Sequence, residues 1–132
     1  MNAGPLLRVL VVDDEADVRL LLGMQFSLLP GFEMVGSTGD APEALELVQA
    51  LHPDAVVMDL LMPKVNGFDA IALLQEHCPG VGIVAYSGVA GSFVREEMAR
   101  RGVEVVLKSG DVSPLAAALR RCVSSRPQPA GG

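Results

Sequence analysis

A chain of 132 residues, half of them hydrophobic and 20% charged, has room for one packed domain and is too apolar to be disordered. Its formal net charge of −6 is lopsided: residues 1–63 carry 10 acidic and 2 basic side chains, residues 64–132 carry 6 and 8. The acidic first half argues against gripping nucleic acid through its phosphates, and no apolar run reaches the ~18 residues of a membrane span.

Apolar, β-branched runs alternate with amphipathic segments along the whole chain. The first strand is expected at Leu7–Val12, followed by a helix over 16–29 that ends at Pro30-Gly31. A second strand, Phe32–Ser37, leads to a helix over 41–51, where Asp40 and Glu43 have capping-box spacing. Ala55–Met58 is the third strand, and the helix after it, over 66–77, stops at Pro79-Gly80. Val81–Tyr86 precedes a helix over 91–101, in which Glu96–Arg100 and Glu97–Arg101 are paired at i,i+4. The last strand is Val103–Leu107. Ser113 and Pro114 then read as the N-cap and first position of a helix over 114–125. Such continuously apolar strands suit a sheet covered on both faces, and strict alternation implies parallel pairing. The expected fold is therefore α/β, a five-stranded parallel sheet with five helices on both faces. The expected division is a short extension over 1–5, one domain over 6–125 and a disordered tail or linker over 126–132.

Right-handed crossovers put every strand's C-terminal end on one edge, which is where such sheets bind ligands. Asp13 and Asp14 follow the first strand, Asp59 the third, Ser87 the fourth and Lys108 the fifth. Adjacent carboxylates repel, and a helix cap needs only one of them. A divalent cation uses both, and Mg²⁺ binds through a few carboxylates while keeping positions open for water and phosphate oxygens. Lys108 can neutralise a phosphoryl oxygen and the Ser87 hydroxyl can bond another. Asp59, alone on a central strand between the pair and the lysine, is the best phosphoryl acceptor.

These residues carry a resemblance. The chain is similar to the response-regulator receiver domains of two-component signalling, through "VVDDE", "VVMDLLMPKVNG", "IVAYSG" and "VVLKSGD", in order and over about residues 6–125. The resemblance implies a flavodoxin-like fold and phosphorylation of Asp59 by a histidine kinase or histidine phosphotransfer protein, in the cytoplasm. It implies direct Mg²⁺ ligation by Asp14, Asp59 and the backbone carbonyl of Leu61, with Asp13 acting through water. Ser87 and Lys108 would contact the phosphoryl group, and no separate substrate would be turned over. It also implies that Leu61 and Val89 gate the hydrolytic water; both are apolar, so slow dephosphorylation is expected. The output surface would be helix 4, strand 5 and helix 5, used for a homodimer or an effector, with no nucleic acid or membrane bound by the domain itself. "LKSGD" is similar to receivers joined to a helix-turn-helix effector. One departure stands out: Val105 occupies the position of the family's switch aromatic.

Other residues read more plainly. His52 and His77 belong to the surface, and Cys78 and Cys122 are inert thiols, Cys122 with Leu115, Ala118 and Leu119 on the apolar face of the last helix. On the first helix, Val18, Leu21, Leu22, Phe26 and Leu29 form the buried stripe, leaving Leu20 and Met24 either as scattered exposed apolar residues or as a docking patch for a kinase or phosphotransfer domain. Two rivals stay in view. A haloacid-dehalogenase-like phosphatase would need Asp-x-Asp on the first strand, which "VVDDEAD" lacks. A phosphate-independent interaction domain would not need all five site residues.

Overall fold

The computed structural model describes residues 5–63 and 65–124. The tail expected over 126–132, and all but Pro5 of the N-terminal extension, lie outside the described residues. In chain order the elements are β1 (Leu7–Val12), α1 (Ala16–Leu28), β2 (Phe32–Thr38), α2 (Ala41–Leu51), β3 (Ala55–Met58), β4 (Leu61–Met62), β5 (Val65–Asn66), α3 (Gly67–His77), β6 (Gly82–Ser87), α4 (Ser92–Arg100), β7 (Glu104–Leu107) and α5 (Ser113–Ser124). The main sheet runs β2-β1-β3-β6-β7, and every neighbouring pair in it is parallel. The sheet and five helices expected from alternation are thus present. The antiparallel β4–β5 pair is not among the expected strands, and Asn66, expected in the helix over 66–77, belongs to it, because two-residue strands are too short to show periodicity.

Strand side chains alternate between two cores. Leu10, Val12, Val56, Met58, Ile83, Ala85 and Val105 pack under α2, α3 and α4. Val9, Val11, Val57, Val84, Tyr86 and Val106 pack under α1 and α5. All of these strand positions are buried, which is why the runs are apolar without a polar face. On α1 the buried residues are Leu22 and Phe26. Leu21, assigned to that stripe, is instead 47% exposed, because α1 meets the sheet along a narrower line than its apolar residues would permit.

The helix ends differ from expectation in instructive ways. Asp40 caps α2 by accepting from the Glu43 N–H at 3.1 Å. The Glu43 carboxylate does not return to Asp40, however. It accepts from the Thr38 hydroxyl, which itself accepts the Asp40 N–H at 3.1 Å, so the box is closed through a third residue. α5 begins at Ser113, whose N–H is taken by Asp111 at 3.0 Å. At the end of α2, His52 adopts a left-handed φ of 50°, and the Arg8 guanidinium donates to the Leu51 and His52 carbonyls at 2.8 Å each. On α4, Glu97 takes both arginines, Arg100 at 3.0 Å and Arg101 at 3.8 Å, and the pair Glu96–Arg100 does not form.

Gly67 opens α3 directly over the chain that follows β3. A Cβ there would sit 2.6 Å from Leu60 Cα and 2.7 Å from the Asp59 carbonyl oxygen, both backbone atoms that cannot step aside. Gly67→Ala should therefore lower stability by about 1–3 kcal/mol, read as a reduced urea midpoint with an unchanged slope. An unchanged midpoint would show that this approach is not tight.

Candidate functional site

The C-terminal ends of β1, β3, β6 and β7 bring Asp13, Asp59, Ser87 and Lys108 together. Backbone bonds across the sheet set their heights: Asp13 N–H to the Thr38 carbonyl and Asp59 N–H to the Val12 carbonyl at 2.9 Å, and Lys108 N–H to the Ser87 carbonyl at 2.9 Å. Asp13, Asp59 and Ser87 are 1%, 2% and 1% exposed, while Asp14 faces solvent. One carboxylate oxygen from each of Asp13, Asp14 and Asp59 can be chosen so that all lie within 4.8 Å of one another.

Among the described residues, Lys108 is the cation paired with these carboxylates. Lys108 Nζ lies 2.8 Å from Asp13 Oδ2, 3.5 Å from Asp59 Oδ2 and 3.6 Å from Glu15 Oε1. The carboxylates are also aimed by backbone donors, Glu15 N–H to Asp13 Oδ1 at 2.9 Å and Leu61 N–H to Asp59 Oδ1 at 3.1 Å. Burial pushes the Asp59 carboxyl up from 3.8 to about 6; the Leu61 N–H opposes this, the Asp13 charge adds to it and Lys108 pulls it down. Burial acts on Lys108 in the opposite sense, yet the contact with Asp13 and the charges of Asp13, Asp59 and Glu15 hold the ammonium above its usual range.

Asp13 Oδ2 is buried with no aligned hydrogen bond, only the ammonium beside it. A buried carboxylate oxygen with only an ion-pair partner, among other hard oxygen donors, fits a small divalent cation such as Mg²⁺. Leu61 and Val89 stand at the rim, 61% and 57% exposed, the Val89 N–H donating to Ser87 Oγ at 3.2 Å.

The pattern of the response regulator receiver domain matches residues 9–120. The chain belongs to that family. It is a receiver of two-component signalling, a family that binds Mg²⁺ at an acidic pocket, and the described residues include the cluster Asp13, Asp14 and Asp59. A protein-glutamate methylesterase/protein-glutamine glutaminase of Geobacter metallireducens is 45% identical over 83 residues, 63% of this chain and 24% of that protein. One from Anaeromyxobacter dehalogenans is 33% identical over 119 residues, 83% of this chain and 33% of that protein. The chain thus spans a quarter to a third of these relatives. The response regulator domain of Thermotoga maritima CheB superposes with a TM-score of 0.81 at 30% identity, covering 92% of this chain and 99% of that one. A two-component response regulator of the LuxR family from Aurantimonas sp. SI85-9A1 gives 0.82 at 29% identity, covering 90% and 86%.

Several residues that serve the receiver's site were not read from the sequence. Thr38 was missed because β2 runs one residue further than its apolar pattern, so its end on the same edge went unseen. Arg19 donates to the Asp13 carbonyl from α1, and no local spacing announces that contact. The arginines around α4 and α5 have partners within the chain. Arg100 and Arg101 are paired with Glu97, Arg121 with Glu104, and Arg120 covers the Phe32 ring at 4.8 Å. Arg95 donates to the carbonyls of Ala90 at 3.1 Å and Val105 at 3.2 Å, tying α4 to β7. Val105 itself is buried in the core under α4. His52 and His77 are exposed, as expected.

A carboxyl whose folded pKa is raised keeps its proton longer in the folded state, so its contribution is present at low pH and lost as pH rises from about 4 through about 6. In EDTA, Asp59→Asn should therefore be more stable than wild type by a margin that is smallest near the lower end of that window and grows across it. Thermal midpoints as a function of pH measure this; a margin independent of pH would show that the Asp59 carboxyl is not held above its ordinary range.

Proposed function

We propose that this receiver accepts a phosphoryl group on Asp59 from a phosphohistidine donor, a histidine kinase or a histidine phosphotransfer protein, in the cytoplasm. The observation that carries the reading is one buried acceptor carboxylate held between a second buried carboxylate and a lysine. Asp59 attacks phosphorus as its anion; the new O–P bond forms as the N–P bond of the donor breaks, and the imidazole leaves with the bonding pair. Lys108 meets the charge on a phosphoryl oxygen and the Ser87 hydroxyl bonds another. Asp13, Asp14, Asp59 and the Leu61 carbonyl would hold Mg²⁺, which when bound offsets the carboxylate charge and that of the incoming phosphate. No separate substrate is turned over by the receiver itself.

Arrival of the phosphoryl group draws Ser87 and Lys108 inward and shifts an existing equilibrium at α4, β7 and α5, the face read by an effector or a second copy. With Val105 in place of an aromatic, the link through α4 falls to Arg95. Leu61 and Val89 carry no polar atom able to place a water against the phosphoryl group, so dephosphorylation is slow.

Incubation with acetyl phosphate, followed by intact mass over time, tests the chemistry. One phosphoryl adduct should form that needs both Mg²⁺ and Asp59, vanishes in Asp59→Asn and persists for minutes or longer. An adduct on Asp59→Asn would reassign the acceptor, and a lifetime of seconds would contradict the role of the apolar rim.

The exposed Leu20 and Met24 on α1, 66% and 58% accessible, flank a shallow groove against Met34 and Ser37 beside this edge. They suit the apolar face of a donor helix. Changing both to glutamine should slow transfer from a phosphohistidine donor while leaving acetyl phosphate unaffected; equal slowing with both donors would sink that docking site.

A further inference from the structure

Tyr86 is the chain's single tyrosine, and there is no tryptophan. It pairs with Val106 across β6 and β7, and side chains two residues apart on a strand share a face, so Lys108 emerges diagonally beside it. The ring is 5% exposed in the core under α1 and α5. Lys108 Nζ lies over it, 5.9 Å from the ring centroid. The ammonium therefore has carboxylates on one side, Asp13, Asp59 and Glu15, and the negative face of a buried ring on another.

A lysine reaches its target on a flexible four-carbon stem and loses much rotamer freedom when held. Carboxylates alone hold it poorly for catalysis, since a charge that binds the ammonium tightly to Asp13 also competes with an incoming phosphoryl oxygen. The ring is a different kind of partner. It attracts the cation more weakly, keeps the same charge before and after phosphorylation, and is fixed by the core. We propose that Tyr86 is a positioning residue, its ring face confining the Lys108 ammonium to the corner it shares with Asp13 and Asp59, from which it meets the phosphoryl group. This rests on the reading of Lys108 as a phosphoryl contact. It predicts that the ring matters and the hydroxyl does not.

The test is binding of beryllium fluoride, a small stand-in for the phosphoryl group, in the presence of Mg²⁺, in a double-mutant cycle. Tyr86→Phe should bind as wild type does. Tyr86→Leu should bind about threefold to tenfold more weakly, as expected for a cation–ring contact. In a Lys108→Met background, Tyr86→Leu should have no further effect. Equal weakening by Tyr86→Leu in both backgrounds would make the ring a packing element only and overturn this inference while leaving the proposed function intact. No weakening by Lys108→Met alone would overturn both. If Tyr86→Leu fails to fold, the single tyrosine decides in its place. Its emission should change when beryllium fluoride binds to wild type and stay constant in Lys108→Met; constant emission in wild type would overturn the inference.

Discussion

Two buried carboxylates, Asp13 and Asp59, share the Lys108 ammonium, and the C-terminal edge of the sheet is organised around that arrangement. Removing two like charges from water is costly unless each is paired or hydrogen-bonded. Here each carboxylate has a backbone N–H on one oxygen and the lysine beside the other. Burial, with the Asp13 charge adding to it, still holds the Asp59 carboxyl above its ordinary range, and Asp13 keeps a buried oxygen without an aligned donor. Such a corner keeps unmet capacity for a cation, since a fully paired cluster would have nothing left to bind with.

The sheet makes this corner affordable. β1 and β3 are central strands, buried on both faces, so Val9–Val12 and Ala55–Met58 anchor their aspartates to the least deformable part of the molecule. The chain after Asp59 is constrained as well. The β4–β5 pair and the close approach of Gly67 to Leu60 and the Asp59 carbonyl fix how it leaves the strand. At the neighbouring edge, Thr38 links Asp13, Asp40 and Glu43, so the cap of α2 and the floor of the site belong to one hydrogen-bond chain. Deforming either disturbs the other.

Between α4 and β7 the buried contact is aliphatic. A valine at position 105 fills core volume but has neither a ring to move nor a polar tip to expose. The polar tie between α4 and β7 comes instead from Arg95, which spans the Ala90 and Val105 carbonyls. Ala90 lies three residues beyond Ser87, on the same loop that holds the Ser87 hydroxyl through Val89. A guanidinium bonded to two backbone carbonyls is therefore one short loop away from the acceptor. The other arginines of this face are engaged within the chain, so its charge is largely internal.

Alternation of apolar runs and amphipathic segments was enough to determine the fold, since a buried parallel strand leaves its signature in each consecutive residue. The five site residues were legible for a related reason: topology sends every strand end to one edge, so Asp13, Asp14, Asp59, Ser87 and Lys108 could be placed without coordinates. What the sequence could not reveal depends on contacts between elements distant along the chain. Leu21 fits an apolar stripe by angle yet faces solvent, because the line along which α1 meets the sheet is set by packing. The relay through Thr38, the arginine reaching Val105 and the ring beneath Lys108 each join residues whose proximity no local pattern encodes. Residue type and period determined which groups reach the edge; only the packed tertiary structure decided which of them face one another, because burial and short-range electrostatics depend on distance in space rather than along the chain.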